Sequence, residues 1–313
     1  MRPVLVTISA IAGMAIVSCL VLLAPKWILG AEGRQLTPAD HIAALNTVRA
    51  QCITIVTALS GIVVAAYGVY RFYLEKDKQR LDEDKHLTGL FDSAAGRLAA
   101  DSPAVRAVAV RTLYRLMVDS PRDHQLVVAT LCDALRQYTV TPNPDATPGT
   151  LPSDVAAAAA ALRDRPRRTE PHPLDLTGVQ LPNADLTGAD LSGAIWPRAR
   201  LSGATLRDTV LERTLLGGAD LSGAILTNAK ASHIHLADAT LTQADLTAAD
   251  LRGADLRRAR FRGAILTSAD LSDADLTGAD LTGTDLRQAR GLTASMLRSA
   301  TVGNDTALPP GLS

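Results

Sequence analysis

The chain holds 313 residues, of which 47% are apolar and only 3% aromatic, and its 32 basic residues balance 32 acidic ones at pH 7. Zero net charge removes any global pull towards nucleic acid or anionic lipid, and the length alone suggests about two domains. Three scattered cysteines, Cys19, Cys52 and Cys132, lack metal-ligand spacing and read as free thiols.

Val4 to Ala24 is a run of 21 residues without a charge, flanked by Arg2 and Lys26. It is long enough to cross a bilayer as a helix. A cleaved signal peptide and a lipoprotein signal are the rival readings. Against the first, the apolar run is too long and Leu29-Gly30-Ala31 is a poor cleavage site. Against the second, the run continues past Cys19, where a lipidated cysteine should open a polar segment. Thr37-Pro38-Ala39-Asp40 then has the form of a helix start, with a hydroxyl cap, proline at the first helical position and an acid in the first turn.

Cys52 to Tyr70 is a second uncharged run, 19 residues long, with Tyr67, Tyr70 and Tyr73 suited to a membrane interface. Gly61, Ala65 and Gly68 are small residues for a helix contact or simply ordinary for a span. Arg71, Lys76, Lys78, Arg80 and Lys85 follow this run, against Lys26, Arg34 and Arg49 between the two. The positive-inside rule therefore expects both termini in the cytoplasm.

Residues 71–90 read as a charged helix leaving the membrane, with Lys78/Asp82 and Arg80/Asp84 spaced for helical ion pairs. A helical module to about Tyr138 follows. Asp101-Ser102-Pro103 and Asp119-Ser120-Pro121 are its two helix starts, each with Ser as cap and Pro at the first position. Val105, Val108, Ala109, Leu113 and Leu116 give the first helix an apolar face, and Leu126, Val127, Leu131 and Leu135 the second. Such a helix pair resembles one unit of an α-solenoid. Thr139 to Pro152 is a proline-rich linker, Ser153 to Arg163 a short alanine-rich helix, and Arg165 to Pro173 a second, basic linker.

From Leu176 to Leu286 every fifth residue is a core residue without one slip of register: 20 of 23 are Leu, with Trp196, Ala231 and Phe261 as departures. Two positions earlier stands a small residue, usually Ala, and the recurring unit is Ala189-Asp190-Leu191-Ser192-Gly193. A period of five fits neither a strand nor a helix. It fits a solenoid that turns a corner after each short extended segment. Leu points inward at mid-segment, Ala where the corner leaves no room, and Gly sits where the turn calls for positive φ. Four corners make a coil of about twenty residues, and nearly six coils stack into a rod about 28 Å long. After Ala289 the period breaks, and Thr293 caps a helix over 294–299 placed to cover the open end.

These repeats resemble the pentapeptide repeat family. The resemblance implies a right-handed quadrilateral β-helix. The spans, Ser120-Pro121-Arg122-Asp123-His124 and the distal repeats together resemble membrane-anchored pentapeptide-repeat proteins of actinobacterial type, though less specifically. The expected fold is therefore two N-terminal transmembrane helices, a small α-helical module, then the pentapeptide repeat solenoid with a C-terminal capping helix. The expected domains are a two-span anchor at 1–73, a juxtamembrane and helical module at 74–138, linkers with one short helix at 139–173, the β-helix at 174–290, and a cap and tail at 291–313.

No phosphate loop, nucleophile elbow or HExxH pattern stands in the sequence. A non-enzyme without cofactor or metal is expected. His233 and His235, near Asp238, read as exposed histidines rather than a metal site, because no supporting shell accompanies them. Asp123 fits the acid expected near a helix start better than acid–base work with His124.

Some soluble members of the family imitate DNA and protect gyrase, which needs a strongly acidic rod. Residues 174–290 hold 15 acidic and 12 basic side chains, and eleven of the acids are the Asp of the repeat unit, placed to bond turn backbone. Arg252, Arg257, Arg258, Arg260 and Arg262 form a basic collar. The expected function is thus a membrane-anchored, cytoplasmic protein-interaction scaffold at a bacterial inner membrane. The alternatives are a DNA-mimic modulator of a topoisomerase and a membrane sensor. The protein partner is unidentified and a homo-oligomer is open.

The residue before each central Leu points outward and is usually Asp, but Ile195, Val210, Leu215 and Ile225 are apolar and form a candidate interaction patch. Ile195 and Leu215, twenty residues apart, should stack on one face. The patch lies near the linker end of the rod. That points first to the helical module as its cover, and then to another protein or a second copy.

Overall fold

The structure is a computed structural model that describes residues 37–140 and 150–312. The predicted first span, Val4 to Ala24, lies outside the described residues, as does most of the first proline-rich linker. The chain divides into two units that meet between Asp84 and Lys85.

One helix, α1 (Pro38–Leu98), absorbs the predicted helix start, the second apolar run and the charged extension. The start is as expected: Pro38 is the first helical residue and the Asp40 amide donates to Thr37 Oγ1 at 3.4 Å. Among the described residues α1 alone is long and apolar enough to cross a membrane. Ile62, Val63, Val64, Tyr67 and Tyr70 are all exposed on it. The hydroxyls of Thr47, Thr54, Thr57 and Ser60 each donate to the carbonyl four residues back, at 2.7 to 3.0 Å. The helix thereby satisfies its own polar groups, as an apolar surrounding requires.

The second unit opens with α2 (Pro103–Asp119), α3 (His124–Val140) and α4 (Ser153–Arg163), which pack as one three-helix module. The alanine-rich α4 therefore belongs to the module and is not a piece of linker. Its Val155, Ala158, Ala159, Ala161 and Leu162 are buried, because small side chains let it approach α2 closely. On α2 the buried face is Ala107, Ala109, Val110, Leu113, Leu116 and Met117, whereas Val105 and Val108 are exposed. Leu126 on α3 is also exposed, and Val127, Val128, Leu131 and Leu135 form the core there. Ser102 occupies the cap position of α2 without a side-chain bond, while the Asp123 amide reaches Ser120 Oγ at 3.4 Å. Cys132 is buried, and desolvation pushes its thiol up to about 12, so it is inert at neutral pH.

The second linker is pinned rather than free. Arg165 Nε donates to Glu170 Oε1 at 2.8 Å, and Arg168 donates to the carbonyls of Met117 and Val118 at 2.7 and 3.0 Å. His124, buried at the start of α3, faces Glu170 through Nε2 at 3.3 Å and Arg168 through Nδ1 at 3.4 Å.

From Asp175 the five-residue period governs everything. Each outward residue pairs with the one twenty places on, in parallel: Asp175 with Ile195, Ile195 with Leu215, Leu215 with His235, and so on to Asp270 with Arg290. Four such columns make a four-sided coil. Pairing takes the form of single bridges, one per side, because a five-residue side is too short for a longer strand. The central Leu and the Ala two places earlier point inward, and Trp196 and Phe261 take Leu places while 2% and 0% exposed.

The unit Leu191 to Ile195 places all five of its backbone donors. Leu191 N and Gly193 N donate to Val210 O and Glu212 O of the next coil, and Ile195 N to Leu174 O of the previous one, all at 2.8 Å. Ala194 N closes the turn on Leu191 O at 3.1 Å, and Ser192 N finds Asp190 Oδ1 at 3.2 Å. Positive φ falls on the third turn residue, the type II pattern. It does so in all 23 turns, at Gly in ten and at another residue in thirteen, from Asn183 to Gln288. Where an inward small residue is Thr, its hydroxyl bonds a carbonyl: Thr209 to Leu206, Thr214 to Leu191 and Thr284 to Phe261.

Thr293 accepts from the Met296 amide at 3.3 Å and caps α5 (Ala294–Ser299), the predicted last helix. It buries no residue fully, and beyond it the chain rejoins the stack as Thr301 pairs with Asp280 and Ala307 with Asp285. The helix is thus an excursion between two paired stretches rather than a lid.

Ala231 and Ile234 flank a single corner, joined by the Ile234 N to Ala231 O bond at 3.2 Å, and both are buried. Their burial at one corner leads to the expectation that the oversized Ile takes up space a Leu at 231 would have used. Ile234→Ala should cost about 2–4 kcal/mol, and adding Ala231→Leu should recover much of it. A double variant that melts no higher than the single one would refute the compensation.

Candidate interaction surface

The eleven Asp of the repeat unit all accept from the amide two residues on, from Asp175 with Thr177 to Asp285 with Arg287. This is the bond that the turn's second amide otherwise lacks. Two units without the Asp, those of Gln180 and Ile195, carry Pro182 and Pro197 at that turn position, which have no N–H to satisfy. The rod's carboxylates are therefore structural first.

Their titration follows. Arg257 and Arg287 bond Asp255 and Asp285 and hold both carboxyls at about 2. The hydroxyls of Thr187, Ser272, Thr277 and Thr282 lower Asp185, Asp270, Asp275 and Asp280 below their ordinary 3.8. Folded values below unfolded ones mean that the unfolded chain takes up protons first. The contribution is complete above about pH 4 and is lost as pH falls towards 2. The melting temperature of the rod should stay level down to about pH 4.5 and then fall, and a level profile to pH 2 would contradict these bonds.

The four apolar outward residues do not form one patch. Ile195 and Leu215 are bridged neighbours on one side of the rod, Ile195 half-buried and Leu215 39% exposed. Val210 lies round the corner in the column of Asp190 and Lys230. Ile225 lies on the opposite side, between Thr205 and Asp245. The helical module reaches the end of that side and also the opposite one: Arg136 of α3 pairs with Asp175, the bridge partner of Ile195, and Arg163 Nη1 with Asp185 Oδ2 at 2.8 Å. The module thus stands on the first coil and leaves Leu215 open.

The basic collar is largely neutralised by its own coil. Arg252 forks onto Asp250 at 2.8 and 2.7 Å, Arg257 onto Asp255 at 2.8 Å twice, and Arg258 onto Asp238 one coil below at 2.7 Å twice. The side chains of Arg260 and Arg262 make no hydrogen bond or ion pair among the described residues, though both backbones join the stack. His235 Nδ1 lies 3.6 Å from Asp255 Oδ2, and no group of three or more metal-ligand side chains occurs among the described residues.

Stacked five-residue sides with a Leu/Ala interior and a polar, patterned exterior define a solenoid whose product is surface. The family model described as "Pentapeptide repeats (8 copies)" matches residues 184–223, 224–263 and 254–290. The match is confined to the rod: residues 184–290 are pentapeptide repeats, whose fold is the right-handed quadrilateral β-helix. Among solved structures it is similar to HetL from the cyanobacterium Nostoc sp. strain PCC 7120, a pentapeptide repeat protein involved in heterocyst differentiation regulation, at 27% identity over 44% of this chain and 90% of that one, TM-score 0.22. Rfr23 from the cyanobacterium Cyanothece 51142 matches at 26% identity over 43% and 87%, TM-score 0.21. QnrB1, a plasmid-mediated fluoroquinolone resistance protein, matches at 17% over 42% and 84%, TM-score 0.20. A comparison with curated proteins finds no match.

Proposed function

We propose that the chain is a membrane-anchored scaffold that holds a pentapeptide-repeat rod at the cytoplasmic side of a bacterial inner membrane, crossing it twice with both termini inside. The partner is a protein that docks on the side carrying Ile195 and Leu215. The stacked pair, with Leu215 exposed and Ile195 half-buried, carries this reading: a partner gains by covering adjacent aliphatic side chains whose neighbours, Pro197 and Gly217, add no charge. The exposed apolar stretch of α1 supports the anchor. Twelve basic side chains against fifteen acidic ones in residues 174–290, with Arg252, Arg257 and Arg258 each paired to an Asp, leave the rod little net negative charge for imitation of DNA. That favours the scaffold over a topoisomerase modulator.

The test is cross-linking with mass spectrometry from intact cells, using the full chain and Ile195→Asp with Leu215→Asp. Loss of cross-links to one partner, with an unchanged rod melt, is the expected result, and loss of links to a second copy would make the partner the chain itself. An identical cross-link pattern in the variant would overturn the docking side.

A further inference from the structure

Arg165, Arg167 and Arg168, with Glu170, line one side of a cleft of about 190 Å³ whose other side is Asp190 and Ser192 of the first coil. Two of these guanidiniums are aimed by backbone. Arg165 Nη1 donates to Leu162 O at 2.9 Å, and Arg168 donates to Met117 O and Val118 O. The carboxylates are already engaged: Glu170 Oε1 receives Arg165 and faces His124, and Asp190 Oδ1 receives both the amide and the hydroxyl of Ser192. Arg167 differs from the other two in being exposed and making no hydrogen bond or ion pair among the described residues. Three cations against two anions leave the cleft with one unmatched positive charge and with guanidinium N–H groups not used by the fold, all on the linker side.

We propose that this cleft is a binding site for a phosphate group, held by the free N–H groups of Arg165, Arg167 and Arg168. The Arg165 and Arg168 guanidiniums, planar and fixed by other bonds, suit the oxygens of a phosphate and lose little further ordering on binding, while the exposed Arg167 adds a third charge. The cleft lies between the end of α4, the strapped linker and the first coil, so an occupant bridges the helical module to the rod. The site is independent of the docking side proposed above and would stand if that reading failed.

Arg167 makes the test clean, because nothing in the fold depends on it. The full chain in detergent is titrated with pyrophosphate by calorimetry, at fixed ionic strength set with chloride, alongside Arg167→Gln and a control at an exposed rod arginine, Arg207→Gln. The expected result is saturable binding by the wild type and the control. Loss of one charge-assisted bond should weaken Arg167→Gln about tenfold or more. Inorganic phosphate should compete for the same sites. Absence of saturable binding, or equal affinity in Arg167→Gln, would overturn the proposal. So would pyrophosphate heats that chloride alone reproduces.

Discussion

Replacing Arg106 by Ala should disrupt the helical module at a cost of about 3–5 kcal/mol. Asp154, in the first turn of α4, is 0% exposed and is met by Arg106 Nε at 2.7 Å. Its second oxygen, Oδ1, has no partner, so the buried charge depends on one guanidinium. The same guanidinium lies 4.7 Å over the Tyr138 ring and donates to Ala100 O and Asp101 O at 2.8 and 2.9 Å. One side chain thus ties α4, the end of α3 and the entry to α2. Limited proteolysis should cut Arg106→Ala between residues 85 and 170 while the repeats stay resistant. Arg106→Met with Asp154→Leu should regain much of the stability, since neither charge is then left buried alone. Wild-type melting of the single variant would contradict this role.

The second large effect is expected at Gly291, where the next central Leu of the period would stand. Its φ is +73°, and a Cβ there would lie 2.3 Å from both Ser272 N and Ser272 Oγ and 2.4 Å from Ser272 Cα. The backbone of the neighbouring coil cannot yield as a side chain can. Gly291→Ala should cost about 3 kcal/mol, from left-handed strain and overpacking together. Its effect should be local: hydrogen exchange should quicken at Thr301 and Ala307, which pair beyond α5, and stay slow at the earlier coils. Gly188→Ala is the comparison, with φ at +70° and nothing within 4 Å of the added carbon. It should cost about 1 kcal/mol. Equal losses at the two sites would mean that the close approach at Ser272 carries no energy.

The rod was legible because a narrow interior admits few shapes, so Leu191, Ala194 and their equivalents repeat with few departures, such as Trp196, Ala231 and Phe261. The bounds of α4 and α5 were legible too, since Pro152 and Thr293 set them locally. The buried phase of α2 was not. Val105 and Val108 are as apolar as Val110 and Leu113, and only the packing of α3 and α4 selects one stripe. The Arg106 and Asp154 pair spans 48 residues, and no local pattern announces it. The tail escaped for a related reason: Thr301 and Ala307 rejoin the stack at spacings of 21 and 22, which break the period of twenty.

At the surface, a spacing of twenty foretold the Ile195 and Leu215 stack and equally separates Val210 and Ile225 onto other sides. The collar read as free charge because its carboxylates lie close by along the chain or one coil away. Asp250 and Asp255 are two residues before Arg252 and Arg257, and Asp238 is twenty before Arg258.

The central claim, a rod held on the cytoplasmic side by the membrane-crossing segments, is tested by thiol labelling. In a chain whose Cys19, Cys52 and Cys132 are replaced, Gln35→Cys and Ser222→Cys are introduced singly, and intact cells are treated with a membrane-impermeant thiol reagent. Labelling at position 35 alone, with position 222 reacting only after the cells are broken, is the result expected of a cytoplasmic rod. Labelling at position 222 in intact cells would contradict it.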